Sequence, residues 1–310
     1  MIKRMLLREV EYARPGSIEE AVRLLGAHDG ARALAGGQTL VNVMKARAAS
    51  PEVLVDLADL AELRTIGRSA DGSLELGAMV TYSELVRSPE VAAVRPLLAE
   101  VAATIADRQV QNRGTVGGNV CVNDPTNHLP PLFSAMGATF TILGPDGERT
   151  VPSDDFFIGV YMTAVGEGEL LTRVSVPARE AGSGDAMEGI TLGKHGTYIV
   201  SAAATVGPGG VRVAIGCVSG VPERATALEE RLAGADLTTE TVHAAVARSG
   251  TPETQPSAMR TAPGETAAAA LARYVPWTPR VMPSMASAQP APSAGIVTRV
   301  SRSPSPTAVM

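Results

Sequence analysis

Apolar residues recur at helical spacing over residues 17–26, where Ser17 stands as an N-cap three residues before Glu20 and Gly26 closes the last turn. The run Ala31–Ala35 meets Gly36-Gly37, which predicts a strand entering a tight turn. Val53–Leu57 carries the pattern of a buried strand, and Leu74–Ala78 alternates as a half-buried one. A helix is predicted from Tyr82 to Val86. Glu90–Ala106 reads as one long Ala/Val/Leu helix that accommodates Pro96 near its first turn. Beyond a glycine cluster at 114–118, residues 130–138 predict a helix and residues 138–143 and 170–176 predict strands.

The segment 178–189 is polar and glycine-rich and is expected to be a domain boundary. After it, Ile199–Val206 and Val211–Val218 predict a strand pair around residues 207–210, and Ala225–Ala233 and Thr239–Arg248 predict helices. The class is α+β. Residues 276–310 hold seven prolines, six serines and no acidic residue, without a hydrophobic period. Such a stretch buries too little apolar surface to offset its ordering entropy, so disorder is expected from 251 to 310. The expected division is 1–178 (subdomains 1–57 and 58–178), 186–250 and the tail.

Composition narrows the chemistry. The 310 residues are 45% hydrophobic and carry a net charge of −5, enough for a sizeable core and without the basic face that nucleic acid or an anionic membrane needs. At 3% aromatic, a base-stacking platform is not expected. The two cysteines, Cys121 and Cys217, are too few for a four-thiolate iron–sulfur or zinc site and read as small buried side chains. His28 and His243 read as surface residues. The N-terminal segment has only a three-residue apolar run before Arg8, and no stretch approaches the roughly 20 apolar residues of a membrane span. A cytoplasmic location is the expectation.

The informative features are two glycine loops, Leu34-Ala35-Gly36-Gly37-Gln38-Thr39-Leu40 and Gly114-Thr115-Val116-Gly117-Gly118-Asn119. Glycines free the backbone for turns whose successive N–H groups hold an anion, most often a pyrophosphate. Thr39, Thr115 and Asn119 add side-chain donors. A single Gly-Gly is most simply a turn; two such loops, neither of the Gly-x-Gly-x-x-Gly nor the Walker type, point to a nucleotide site of another design.

Taken with Met44-Lys45, Asn112-Arg113, Asp124-Pro125, the opening Glu11-Tyr12-Ala13-Arg14-Pro15 and Gly168-Glu169-Leu170-Leu171-Thr172, the loops resemble the FAD-binding medium subunits of molybdenum hydroxylases, over about residues 9–248. This is the group of carbon monoxide dehydrogenase and xanthine dehydrogenase. The resemblance implies a two-subdomain FAD-binding fold of the vanillyl-alcohol-oxidase-like (PCMH) type followed by a smaller α+β domain. It implies that Ala33, Leu34, Ala35, Gly36, Gly37, Gln38, Thr39 and Leu40, with Thr115, Val116, Gly117, Gly118 and Asn119, wrap the FAD pyrophosphate. Asp124, His128, Leu170, Lys194 and Tyr198 fall at further cofactor positions. His128 stands where relatives commonly have Asp, Thr197 stands where many have Asp, and the arginine-rich C-terminal helix of the family is not recognisable after Gly250. For Leu170 and Tyr198 an ordinary core role fits equally well.

The function so implied is that of an electron-transfer oxidoreductase subunit. FAD on this chain would take electrons from the [2Fe–2S] clusters of a small partner subunit and pass them to an external acceptor. Molybdopterin would sit on a large subunit, and the assembly would be a dimer of heterotrimers. No catalytic or metal-binding residue is assigned to this chain. A self-sufficient FAD oxidoreductase and a flavin-free assembly subunit are the alternatives.

Overall fold

The computed structural model describes residues 7–192, 197–238 and 241–242. The helix expected over 239–248, the tail from 251 and Lys194 fall wholly or almost wholly outside these residues.

The first layer comprises β1 (Glu11–Ala13), α1 (Ile18–Ala27), β2 (Arg32–Leu34), α2 (Leu40–Lys45) and β3 (Val53–Asp56). The strands are parallel in the order β1-β3-β2. Helix α1 begins as the sequence predicts, with the Ser17 hydroxyl accepting from the Glu20 N–H at 3.2 Å. It buries Ala21, Val22 and Leu25 in the same core as Val53 and Val55.

The second part contains β4 (Ile66–Arg68), β5 (Leu74–Gly77), α3 (Tyr82–Arg87), α4 (Pro89–Val94), α5 (Pro96–Thr104), α6 (Arg108–Gln111), α7 (Val116–Val122), α8 (Leu129–Met136), β6 (Thr139–Gly144), β7 (Gly147–Pro152), α9 (Ser153–Phe156), β8 (Phe157–Gly159), β9 (Met162–Thr163) and β10 (Leu170–Val176). Its antiparallel sheet runs β4-β5-β10-β6-β7. One large core joins the sheet to the helices: Leu74, Leu76, Val174 and Ile142 pack with Leu98, Val120 and Phe133. Phe140 stacks on Phe156 at 3.9 Å between ring centroids.

The single helix expected from Glu90 to Ala106 is two helices. Arg95 takes φ −142°, ψ 72° between them, because a proline ring disfavours the helical conformation in the residue before it. Pro96 then opens α5, where its missing N–H costs nothing.

The third part is β11 (Gly184–Thr191), β12 (Tyr198–Gly207), β13 (Gly210–Gly216), β14 (Glu223–Arg224) and α10 (Thr226–Leu232). It forms an antiparallel sheet β11-β12-β13-β14. Half of the segment expected to be a polar boundary is therefore strand. The polarity misleads because β11 buries its acid: Asp185 Oδ1 accepts from the Arg95 guanidinium at 2.6 Å and from Thr205 Oγ1 at 2.9 Å. Arg95 Nε donates to the Pro177 carbonyl at 2.8 Å. The ion pair is almost fully enclosed, at 4% and 2% side-chain exposure. Beyond Asp185, Ala186 joins a small core with Leu228 and Leu232 of α10, and Met187 joins the large core. No helix among the described residues is long and apolar enough to cross a membrane.

Candidate functional site

The two glycine loops meet, as their pairing in the sequence suggests, but they are built on different principles. The first leaves β2 and enters α2. Its first helical bonds are Val41 N–H to Gly37 O at 3.2 Å and Val43 N–H to Thr39 O at 3.0 Å. The N–H groups of Gly37, Gln38, Thr39 and Leu40 therefore precede the ladder and carry no hydrogen bond among the described residues. Side chains brace the loop from within: Gln38 Nε2 donates to Gly36 O at 2.9 Å, and Asn42 Nδ2 to Gln38 O at 2.7 Å.

The second loop has almost no N–H groups to offer. Val116 N–H donates to Val80 O and Gly117 N–H to Ala78 O, both at 2.8 Å. Gly118 N–H donates to Thr115 Oγ1 and Asn119 N–H to Thr115 O, both at 3.0 Å. The anion-binding concavity expected here is closed by the loop's own packing. What this loop presents is a buried floor carrying the Thr115 hydroxyl and the Asn119 amide.

Glycine is required at the contact for steric reasons. A Cβ on Gly36 would overlap the Arg113 carbonyl oxygen, so the two loops touch backbone to backbone. A Cβ on Gly117 would stand 2.7 Å from both the Ala78 oxygen and the Ala78 Cβ, so this turn packs directly on the end of β5.

Between the loops lies a cavity of about 530 Å³. Of the residues singled out in the sequence, Ala33, Ala35, Gly36, Gly37, Gln38, Thr39, Leu40, Thr115, Gly117, Gly118, Asn119, His128 and Leu170 line it. Leu34, Val116, Asp124 and Tyr198 do not. Val116 is fully buried beneath the floor. Asp124 caps its own turn through Thr126 and receives the Tyr161 hydroxyl at 3.0 Å. Tyr198 lies behind His128, with ring centroids 4.0 Å apart. Thr197 lines the cavity. Sequence reasoning missed Tyr82, Cys121 and Asn127 in the lining. For Tyr82 a signal existed, since Thr81 and Glu84 form a capping box that fixes it as the first residue of α3, against the second loop.

The interior is nearly free of charge. Burial pushes His128 down to about 4, so its imidazole is neutral at physiological pH, and burial pushes the Cys121 thiol up to about 12. Glu169 at the rim is neutralised by Arg149, whose Nη2 lies 2.6 Å from its carboxylate. Arg32 also lines the cavity.

This donor set fits a dinucleotide flavin. A diphosphate needs N–H groups in series, which the first loop has free. Asn119 Oδ1 is buried without a hydrogen-bond partner among the described residues, as a cofactor-binding group would be. Fold and cavity together define a flavoprotein module of the two-loop type.

Comparison with known proteins places it further. The family described as the FAD binding domain in molybdopterin dehydrogenase matches residues 8–179. The carbon monoxide dehydrogenase medium chain of Hydrogenophaga pseudoflava is 41% identical over 248 residues, covering 78% of this chain and 86% of that protein. The nicotine 6-hydroxylase medium subunit of Paenarthrobacter nicotinovorans is 34% identical over 244 residues, with the same coverage of 78% and 86%. Among solved structures, carbon monoxide dehydrogenase from H. pseudoflava, in a form lacking the Mo-pyranopterin moiety of its cofactor, superposes with a TM-score of 0.79 at 38% identity, covering 87% of this chain and 96% of that one. The chain belongs to the family of FAD-binding subunits of molybdenum hydroxylases. It is an oxidoreductase flavoprotein with the α+β fold expected from the sequence.

Proposed function

We propose that this chain is the flavin subunit of a cytoplasmic heterotrimer, paired as a dimer of heterotrimers. In this reading it receives electrons from [2Fe–2S] clusters on a small subunit, while a large subunit carries molybdopterin and the substrate. When bound, FAD supplies the exchange between single-electron uptake and two-electron release. The residues of this chain bind and orient. The N–H groups of Gly37–Leu40 hold the diphosphate, with Ala33–Gly36 shaping the approach. Thr115, Gly117, Gly118 and Asn119 form the floor, over Val116. His128, backed by Tyr198, gives a neutral polar wall, and Leu170 an apolar one that excludes water. Leu34 and Asp124 act from behind the lining, and Lys194 is retained as a candidate near the flavin.

The observation that carries this reading is the row of N–H groups at Gly37–Leu40, bonded by no described residue, in a loop that lines the cavity. The relatives are named for carbon monoxide and for nicotine, which supports a substrate site on another subunit. The test is to isolate the native assembly and measure flavin, iron, sulfide and molybdenum, then follow flavin bleaching on anaerobic addition of substrate. The expected result is one FAD per copy of this chain, bleached only when the iron–sulfur subunit is present. Substrate turnover by this chain alone, or an assembly without flavin, would overturn it.

A further inference from the structure

We propose that Tyr82 is a positioning residue of the flavin site. Its phenol fixes the Asn119 amide so that Oδ1 meets an O–H or N–H donor of the cofactor, and not one of its phosphate oxygens. The inference rests on the FAD reading above and goes beyond it by giving the second loop a polarity of its own.

The phenol oxygen of Tyr82 accepts from Asn119 Nδ2 at 2.9 Å. Both residues line the cavity yet are only 5% and 8% exposed. An amide is planar, with its nitrogen and oxygen on opposite sides of one carbon. Holding Nδ2 on the phenol therefore commits Oδ1 to the other direction, where no described residue provides a partner. The rest of Asn119 cannot turn to find one. Its N–H is bonded to Thr115 O at 3.0 Å, and its carbonyl accepts from Asn127 Nδ2 at 3.0 Å.

Tyr82 is as firmly held. Its N–H donates to Gly114 O at 3.1 Å, and Thr81 before it forms a bridge with Thr115. Its ring lies so close to Gly114 that a Cβ there would stand 2.6 Å from Cε2. Desolvation raises the phenol to about 12, so it stays protonated and neutral. A buried acceptor is costly when left unmatched, and it repels a phosphate oxygen. It is satisfied by a donor, which FAD carries on its ribityl and ribose hydroxyls, its ring imide and its adenine amine.

The test uses the full chain freed of flavin and titrated with FAD by fluorescence quenching. Tyr82→Phe is expected to weaken FAD about tenfold, Asn119→Ala by at least as much, and the double variant no more than Asn119→Ala alone, because the phenol acts only through the amide. With asparagine selectively 15N-labelled, the side-chain signal that disappears in Asn119→Ala should shift in Tyr82→Phe apoprotein, and again when FAD binds the parent chain. Unchanged affinity in either single variant, or strictly additive losses, would overturn the inference while leaving the FAD reading intact. Should Tyr82→Phe fail to fold, Asn119→Ala alone decides, since tight FAD binding by it excludes a role for Oδ1. A parent chain that binds no FAD at all would remove the FAD reading and this inference together.

Discussion

The two glycine loops are near-twins in sequence and opposites in structure. Ala33–Leu40 is a half-exposed lip in which the N–H groups of Gly37–Leu40 are bonded by no described residue, braced by the amides of Gln38 and of Asn42 in α2. Thr115–Asn119 is a mostly buried floor whose N–H groups are bonded to Val80, Ala78 and Thr115. Glycine serves different ends in the two. In the lip it lets the chain come up against Arg113 and expose donors; in the floor it lets a turn lie flat on β5. A shared Gly-Gly pattern thus records a shared need for closeness to something, and that something differs.

Substitutions can break or sharpen this contrast. The largest effect is expected at the floor. Gly117→Val would press methyl groups onto Ala78, whose backbone cannot yield, and cost about 3 kcal/mol of stability, read as a lower urea midpoint of the full chain with or without FAD. At the lip, Gly36→Ala drives a Cβ into the Arg113 carbonyl and should also lower that midpoint, and because it parts the loops it should in addition weaken FAD about tenfold, about 1.4 kcal/mol. An unchanged FAD affinity in folded Gly36→Ala would erase the distinction.

The third effect is a pH dependence. His128 is held neutral by burial, its folded-state value depressed from 6.5 to about 4. Between those limits the unfolded chain takes up a proton that the folded chain refuses. Stability from this group is therefore complete above about 6.5 and declines as pH falls towards 4. Wild type should lose urea midpoint from pH 7 to pH 5 more steeply than His128→Gln. The smallest effect is expected for Gln38→Ala, which removes one brace from the lip; an affinity loss of about threefold, roughly 0.7 kcal/mol, is anticipated in FAD titration.

Much of this was legible from residues alone. Strand β10 occupies the predicted span of 170–176, and α1 starts at its Ser17 cap, because both signals are local. The positions of the loops were legible for the same reason. That the floor's N–H groups are used up was not, because Val116 and Gly117 donate to the backbone carbonyls of residues 80 and 78, which no side-chain pattern announces. Strand β11 escaped notice because its buried acid mimics a solvated loop. The break at Arg95 had its signal in Pro96, and the apolar continuity of the flanking residues concealed it.

The Arg95–Asp185 pair has a consequence for how the molecule comes apart. One guanidinium grips the chain at Pro177 and again at Asp185, closing the connection between β10 and β11 into a short loop. The four-stranded sheet cannot swing away without baring a charge deep in the protein, which is strongly unfavourable. Amide protons of β11 and β12 should therefore exchange with solvent in concert with those of α5. The third sheet would then melt as one cooperative unit with the flavin-binding core.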